Sequence, residues 1–431
     1  MDCGGVVLEK TVVKDKPTHS LVRSIVGTSG FFLMARSLSA LIPLLLARRF
    51  GVSMEMDAFF MAFAIQSFIA SSIGSVCEVS VVPYLARASK NDGATLLRFM
   101  LFAVPFTVFV ITLLTGYGIS IVVSQQIAQE YWFLVFFPAF SVASGILFGA
   151  LNTHHHYTLT AVAPGLRAIV FLSMFFWLPI DNPRYLGICF TLSEVILLLF
   201  LLRETFKRGL LSGAGSSTQL SSLLSSTALL SSGFILLALN PVIDKTFASS
   251  IGQGGVSILE YSFALFYIPA NLLTGPLLTI LFSRWARVND LLLMIKEADR
   301  TVCAISLIAL ACLSGFLVFG KPFLNIMIAE KVAHEQLELI WLCGLILLGG
   351  LMPYVSASLY ARIALAMGQY RLLAVLSAGN AMLNLVLNFL LYRALGLPGI
   401  VVSTLITYGA VACSIRFYMR KLVPENQERL P

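Results

Sequence analysis

The sequence predicts an all-α polytopic membrane protein, with about twelve transmembrane helices in two six-helix lobes related by pseudo-two-fold symmetry. Three observations predict it. The 431 residues are 58% hydrophobic and only 12% charged, with a mean hydropathy of +0.89, far outside the range of soluble globular domains. A hydrocarbon core about 30 Å thick needs roughly 20 apolar residues per helix, and about twelve such runs follow one another. The third observation is an internal echo. Leu46 to Gly51, an aromatic-rich helix from Asp57 to Pro83, then Ala86-Arg87 and Asn91-Asp92 find a counterpart in the second half. It consists of Asp244 to Ala248, a helix around Tyr261 to Phe282, then Ala286-Arg287 and Asn289-Asp290. A weak repeat of this kind, in a chain of apolar spans, marks transporters built as two bundles around a central cavity.

The elements follow in order. Residues 1–20 form a charged cytoplasmic tail containing Pro17, without the apolar run and small-residue site of a cleaved signal peptide. The first span, 24–46, is itself the targeting element, and 57–83, 96–123, 131–151, 157–180 and 184–202 complete an N-lobe over 21–202. Residues 203–219 carry Gly209, Gly213, Gly215, Ser216 and Ser217 and read as a flexible cytoplasmic linker. Spans at 220–244, 257–282, 299–319, 338–360, 370–392 and 396–418 form a C-lobe over 220–418, and 419–431 are a cytoplasmic tail. All twelve runs are continuously apolar rather than alternating, which excludes a transmembrane barrel. Pro43, Pro105, Pro138, Pro164, Pro241, Pro269 and Pro276 mark either ordinary kinks or segments lining a cavity, because proline frees a carbonyl that neighbours or water must satisfy. Ser71, Ser72, Gly74 and Ser75 permit close helix packing.

The net charge of +8 does not indicate a nucleic-acid partner, because its distribution follows the membrane. With the N-terminus inside, about twenty Lys and Arg fall on the cytoplasmic side, against about seven opposite, namely Arg48, Arg49, Arg184, Lys245, Lys321, Lys331 and Arg393. Both termini are therefore expected in the cytoplasm, with the chain a multi-pass, monomeric protein of a bacterial inner membrane. Seven cysteines lie mostly inside spans without a CxxC pair, as packing residues rather than a metal or disulfide framework. Short loops leave no room for a catalytic domain, and no nucleophile elbow or phosphate loop occurs, so an enzyme is not expected. His154, His155 and His156 sit in a short turn and point in different directions, which favours a solvated loop over a metal site.

Arg36 and Arg167 fall well inside spans, each roughly 15–18 Å from the cytoplasmic face at 1.5 Å per residue. A charge at that depth costs at least about 2.5–3.5 kcal/mol, so it should face a wet cavity or a partner. Glu194 reaches the same level as Arg167, which makes a neutralised pair the plain explanation there. Arg36 has no acid at its depth and is the better candidate for a cavity that receives an anionic headgroup, where a planar guanidinium suits phosphate oxygens. Asp57, at the start of the second span, is grouped with these two as a candidate headgroup-binding residue. In the second half Asn384 and Asn388 share one helix face, and Thr404 and Asp244 lie at the same level. The four could form an interhelical hydrogen-bond cluster, or offer oxygens to a small hard cation or, through Asp244, to a proton.

The stretches Ala47-Arg48-Arg49-Phe50-Gly51 with Asp57-Ala58-Phe59-Phe60-Met61-Ala62-Phe63, Val82-Pro83 with Ala86, Gly149 to Asn152 running on to Ala163-Pro164, Ile243 to Ser249, and Asn384 to Asn388 with Leu395-Gly396 and Gly399 resemble the MviN/MurJ lipid II flippases. That family belongs to the multidrug/oligosaccharidyl-lipid/polysaccharide exporter superfamily, and the likeness covers nearly the whole chain. The resemblance implies a V-shaped pair of lobes moving an undecaprenyl-pyrophosphate-linked saccharide by alternating access. It implies a sodium site on Asp244, Asn384, Asn388 and Thr404, with Na+ or H+ as coupling ion, no other metal and no cofactor. The family often has an acid where Asn388 stands. Of its cavity arginines only Arg36 is retained, the matching places being Ile42, Ala70 and Ala264, so the cargo is lipid II or a related lipid-linked oligosaccharide. The competing reading is a drug/cation antiporter of the same superfamily, which the midplane arginines oppose; a membrane glycosyltransferase is disfavoured by the short loops.

Overall fold

The computed structural model describes residues 38–427 apart from 86–88, 155, 214, 216–219 and 286–289; over stretches such as 78–84, 220–232 and 275–280 the backbone alone is described. Among the described residues the chain is entirely helical. The first helix, α1, covers 38–50. It is followed by α2 (Met54–Leu85), α3 (Lys90–Val122), α4 (Gln125–Phe133), α5 (Phe137–Thr153), α6 (Tyr157–Trp177) and α7 (Arg184–Lys207). The second half holds α8 (Leu220–Ile251), α9 (Gly255–Trp285), α10 (Leu291–Ile328), α11 (His334–Gly349), α12 (Leu351–Ala366), α13 (Tyr370–Leu395) and α14 (Leu397–Gln427).

Among the described residues, seven of these helices are long and apolar enough to cross a bilayer, and the pairs α4–α5 and α11–α12 each make one further span, bent by 41° and 43°. The expected spans 131–151 and 338–360 are thus each a bent pair rather than a straight rod. Pro138 sits at the start of α5, and Gly350 both ends α11 and starts α12. The bends occupy the fourth place in each half, so the echo in sequence is also an echo in shape. Near the paired Asn-Asp segments, each half starts its third span with a side-chain cap, supplied by Ser89 in the first half and by Asp290 in the second. Ser89 caps α3 by accepting from the Asp92 amide at 3.2 Å, and Asp290 caps α10 by accepting from the Leu293 amide at 3.0 Å. An oxygen at these positions satisfies an amide that the first turn leaves without a partner.

α10 and α14 run past their expected ends, so most of the anticipated C-terminal tail continues α14 as helix. The linker also differs from a free tether. Arg98 donates to the Gly213 carbonyl and the Gly215 amide donates to Thr95 Oγ1 at 3.0 Å, which docks this segment on the start of α3. Gly213 has a φ of 136° and lies so close to Asn91 that a Cβ would collide, so glycine serves close approach here rather than flexibility.

Within the first half, α2 packs on α5, α5 on α3 and α7, and α6 on α7; within the second, α13 lies between α8 and α14, and α11 rests on α9. The halves meet mainly where α2 runs along α8 and touches α9. Phenylalanines explain the aromatic richness of α2: the Phe63 ring packs at a tilt 4.8 Å from Phe190, which in turn lies 4.2 Å from Phe171. Phe102, Phe319 and Trp177 project outward, as side chains facing lipid do.

Candidate functional site

Asp244 on α8 is buried, and the structure brings it together with the three residues expected to accompany it. Asn384 and Asn388, one helical turn apart on α13, donate their amide nitrogens to Asp244 Oδ1 at 2.9 and 2.7 Å. Thr404 on α14 donates to Oδ2 at 3.5 Å. Asn388 also bridges to Asn384 Oδ1 at 3.1 Å, an oxygen that accepts from Ser403 at 3.0 Å as well. Asn388 Oδ1 is buried without a hydrogen-bond partner among the described residues. The hydrogen-bond cluster expected of these four residues is thus formed. The carboxylate, the unpartnered amide oxygen and the Thr404 hydroxyl form a set of hard oxygens around a net negative charge, which suits Na+; rotation of an amide would bring its oxygen round. Asn384 and Thr404 line a cavity of roughly 370 Å³ between α2, α8, α9, α13 and α14 that also exposes Asp244, Lys245 and Glu260.

A second cavity, of roughly 210 Å³, lies within the first half and is walled by small and polar side chains including Ser71, Ser141 and Ser144. Arg167 and Glu194 both line it. Their ion pair forms at 3.1 Å, with Glu194 side chain 1% exposed and Arg167 36% exposed. The guanidinium is thus both neutralised and open to the cavity: one nitrogen meets Glu194 while others remain available on its open face. Ser71 lines both cavities.

Asp57 lines neither cavity. Its carboxylate reaches across to the other half, where Oδ2 accepts from the Gly254 amide at 2.5 Å and Oδ1 from the Ser257 amide and hydroxyl at 2.7 and 2.6 Å. It caps α9, placing a negative charge at a helix N-terminus where free amides and the helix dipole favour it. Beside it Tyr261 donates to the Gly51 carbonyl at 2.7 Å and its ring meets Phe60 edge-on at 5.6 Å. Gly51 has a φ of 66° and lies against the Lys331 backbone. These contacts clasp the two halves at the end carrying the α1–α2 and α8–α9 turns.

Arg36 lies outside the described residues. Ile42, Ala70 and Ala264, at the places that match the other cavity arginines of the resembled family, are buried apolar side chains. His155 is also outside them, and among the described residues no three His, Cys, Asp or Glu gather as a metal site. Lys245 corrects the reading of the chain as sequence. Counted among the basic residues of the outer side, it is instead 5% exposed, pairs with Glu260 at 2.8 Å and donates to the Phe60 carbonyl at 3.3 Å. The signal for it was its position directly after Asp244 inside an apolar run. Asn240 and Asn380, each one turn before a residue of the cluster, carry the same signal, a polar side chain inside an apolar run.

Comparison with known proteins agrees with this architecture. The family described as lipid II flippase MurJ matches residues 46–429. A lipid II flippase MurJ from Burkholderia cenocepacia is 25% identical over 307 residues, which is 63% of this chain and 58% of that protein. The match thus spans less than two thirds of that relative's length. Among solved structures, a lipid II flippase MurJ in an inward closed conformation superposes with a TM-score of 0.80 at 16% identity, covering 92% of this chain and 87% of the other. A multidrug resistance MATE family transporter in an outward-facing conformation gives 0.71 at 14% identity over 95% and 97% of the two chains. At these identities the structures speak for a shared fold.

Proposed function

We propose, from the premise that this chain belongs to the MurJ lipid II flippase family, that it translocates a polyprenyl-pyrophosphate-linked saccharide, lipid II or a related lipid-linked oligosaccharide, across the inner membrane of a bacterium. The observation that carries the reading within the molecule is the interlobe cavity with buried Asp244 on its wall. A hollow between two helical lobes joined mainly through α2 can be opened from either end by rocking one lobe on the other. The saccharide headgroup enters such a hollow while the prenyl chain stays in lipid. Arg36 and Arg167 supply positive charge for the pyrophosphate, Arg167 from the adjoining cavity that shares Ser71 with this hollow, and Glu194 keeps Arg167 neutralised when no anion is near.

Asp244, Asn384, Asn388 and Thr404 hold the coupling cation, which Na+ fits best. When bound, the ion supplies positive charge that offsets Asp244, so α8, α13 and α14 can pack together without an uncompensated carboxylate. With both termini on the cytoplasmic side, the Asp57 and Tyr261 clasp lies at the outer end. Its contacts support a conformation shut towards the outside. The short loops support a transporter without catalytic activity.

A second reading is favoured by one feature: Asp244 and Glu260 both line the cavity, as an antiporter of cationic drugs would require. The two are separated by reconstitution. Vesicles containing fluorescently labelled undecaprenyl-pyrophosphate saccharide should show Na+-dependent flipping with the wild-type protein and at least about a tenfold loss, equivalent to 1.4 kcal/mol, with Asp244→Asn. Export of a cationic dye without headgroup flipping would select the antiporter instead.

A further inference from the structure

The polar wall of the interlobe cavity continues beyond Asp244. Asn240 lies four residues before Asp244 on α8, Asn380 lies four before Asn384 on α13, and Thr407 lies three after Thr404 on α14. On each helix the step is about one turn. The directions agree as well. In the twelve-span order α8 and α13 run the same way and α14 runs against them, so stepping back on the first two and forward on the third moves towards the same end of the molecule. The register of α8 on α13 is fixed by contacts on both sides of this level. Asp244 bonds Asn384 and Asn388, while Gly233 lies against Ala374 and Ser377. Asn240 therefore faces Asn380 across the same helix pair that places Asp244 opposite Asn384.

Asn240, Asn380 and Thr407 all line the cavity. The Oδ1 atoms of both asparagines are buried and have no hydrogen-bond partner among the described residues, and Asn380 is only 7% exposed. Thr407 donates its hydroxyl hydrogen to the Ser403 carbonyl at 2.7 Å, which turns the lone pairs of its oxygen outward as acceptors. Two buried amide acceptors without donors carry a desolvation cost that an apolar pair would avoid. Acceptor oxygens that can replace a hydration shell, beside a carboxylate one turn away, are what a small monovalent cation requires.

We propose that Asn240, Asn380 and Thr407 form a second, weaker site for the same alkali cation, one turn from Asp244 along the same cavity wall, through which the ion passes between Asp244 and the cytoplasmic end. The inference rests on the reading of Asp244 as the primary cation site. The weaker site has no charge of its own and draws its affinity from the field of Asp244 and from the three oxygens. An ion leaving Asp244 towards the cytoplasmic end meets these oxygens before it meets bulk water.

The test is equilibrium binding of radiolabelled sodium to the purified full-length protein in detergent, over a wide range of concentration. Wild type should bind in two phases. Asp244→Asn should lose the tight phase and leave a weak phase of lower affinity, whereas Asn380→Leu should lose the weak phase and keep the tight one. Asn380→Asp, which adds charge without changing size, should tighten the weak phase at least tenfold and guards against a misfolded leucine variant. A single phase that Asp244→Asn abolishes, with both Asn380 variants binding as wild type, would overturn the second site while leaving Asp244 intact; the free oxygens would then hold water only. Absence of sodium binding in folded wild-type protein would overturn the primary reading and the second site with it.

Discussion

Arg167 and Glu194 show how a single pair serves stability and function at once. Removing the arginine alone leaves a carboxylate that is 1% exposed without its partner, a loss of roughly 1–3 kcal/mol for an orphaned buried acceptor. Arg167→Ala should therefore lower the unfolding temperature of the purified protein. The double variant with Glu194→Gln should recover most of that loss, because no uncompensated charge remains, and should still fail to flip a pyrophosphate-linked saccharide. Recovery of flipping together with stability would show the pair to be structural only. The depth match between Arg167 and Glu194 was legible in sequence from helix rise alone. That the guanidinium also opens onto a serine-lined cavity depends on α2 and α5, and no spacing within α6 or α7 encodes it. The partners of Lys245 were illegible for a related reason: its acid and its carbonyl acceptor lie on α9 and α2.

At the level of elements, the clasp between α2 and α9 is a helix cap supplied from another helix. Asp57 and Ser257 bond through backbone and side chain alike, so their contributions to lobe closure should not add. Asp57→Asn and Ser257→Ala, made singly and together, should show a coupling of about 0.5–3 kcal/mol in thermal unfolding. Coupling indistinguishable from zero would mean that the lobes are held elsewhere. The echo of Asn91-Asp92 in Asn289-Asp290 was visible in sequence without an explanation, and the structure shows that α3 and α10 start at this level, capped by Ser89 and by Asp290. Of the bends in the fourth spans, the first was legible as a kink marked by Pro138; the second, at Gly350, was not, because a bend that keeps apolar side chains buried changes no pattern a one-dimensional reading detects.

For the whole molecule, the asymmetry of charge predicts orientation. In a cysteine-free background, single cysteines replacing Lys207 and Lys421 should react with a membrane-impermeant maleimide only after the cells are opened, and one replacing Lys331 should react in intact spheroplasts. The opposite pattern would invert the molecule and move the Asp57 clasp to the cytoplasmic end. The sequence by itself determined that the chain crosses a membrane as helices, in two echoing halves, with Asp244, Asn384, Asn388 and Thr404 at one level. Hydropathy, helical period and rise are properties of consecutive residues, so they survive in one dimension. Only the tertiary structure decided that those four side chains touch, that Asp57 reaches across to α9 instead of facing a cavity, and that amide oxygens continue the polar wall past Asp244. These are relations between helices far apart in the chain, set by the register in which α8 packs on α13 and α2, and no local pattern records that register.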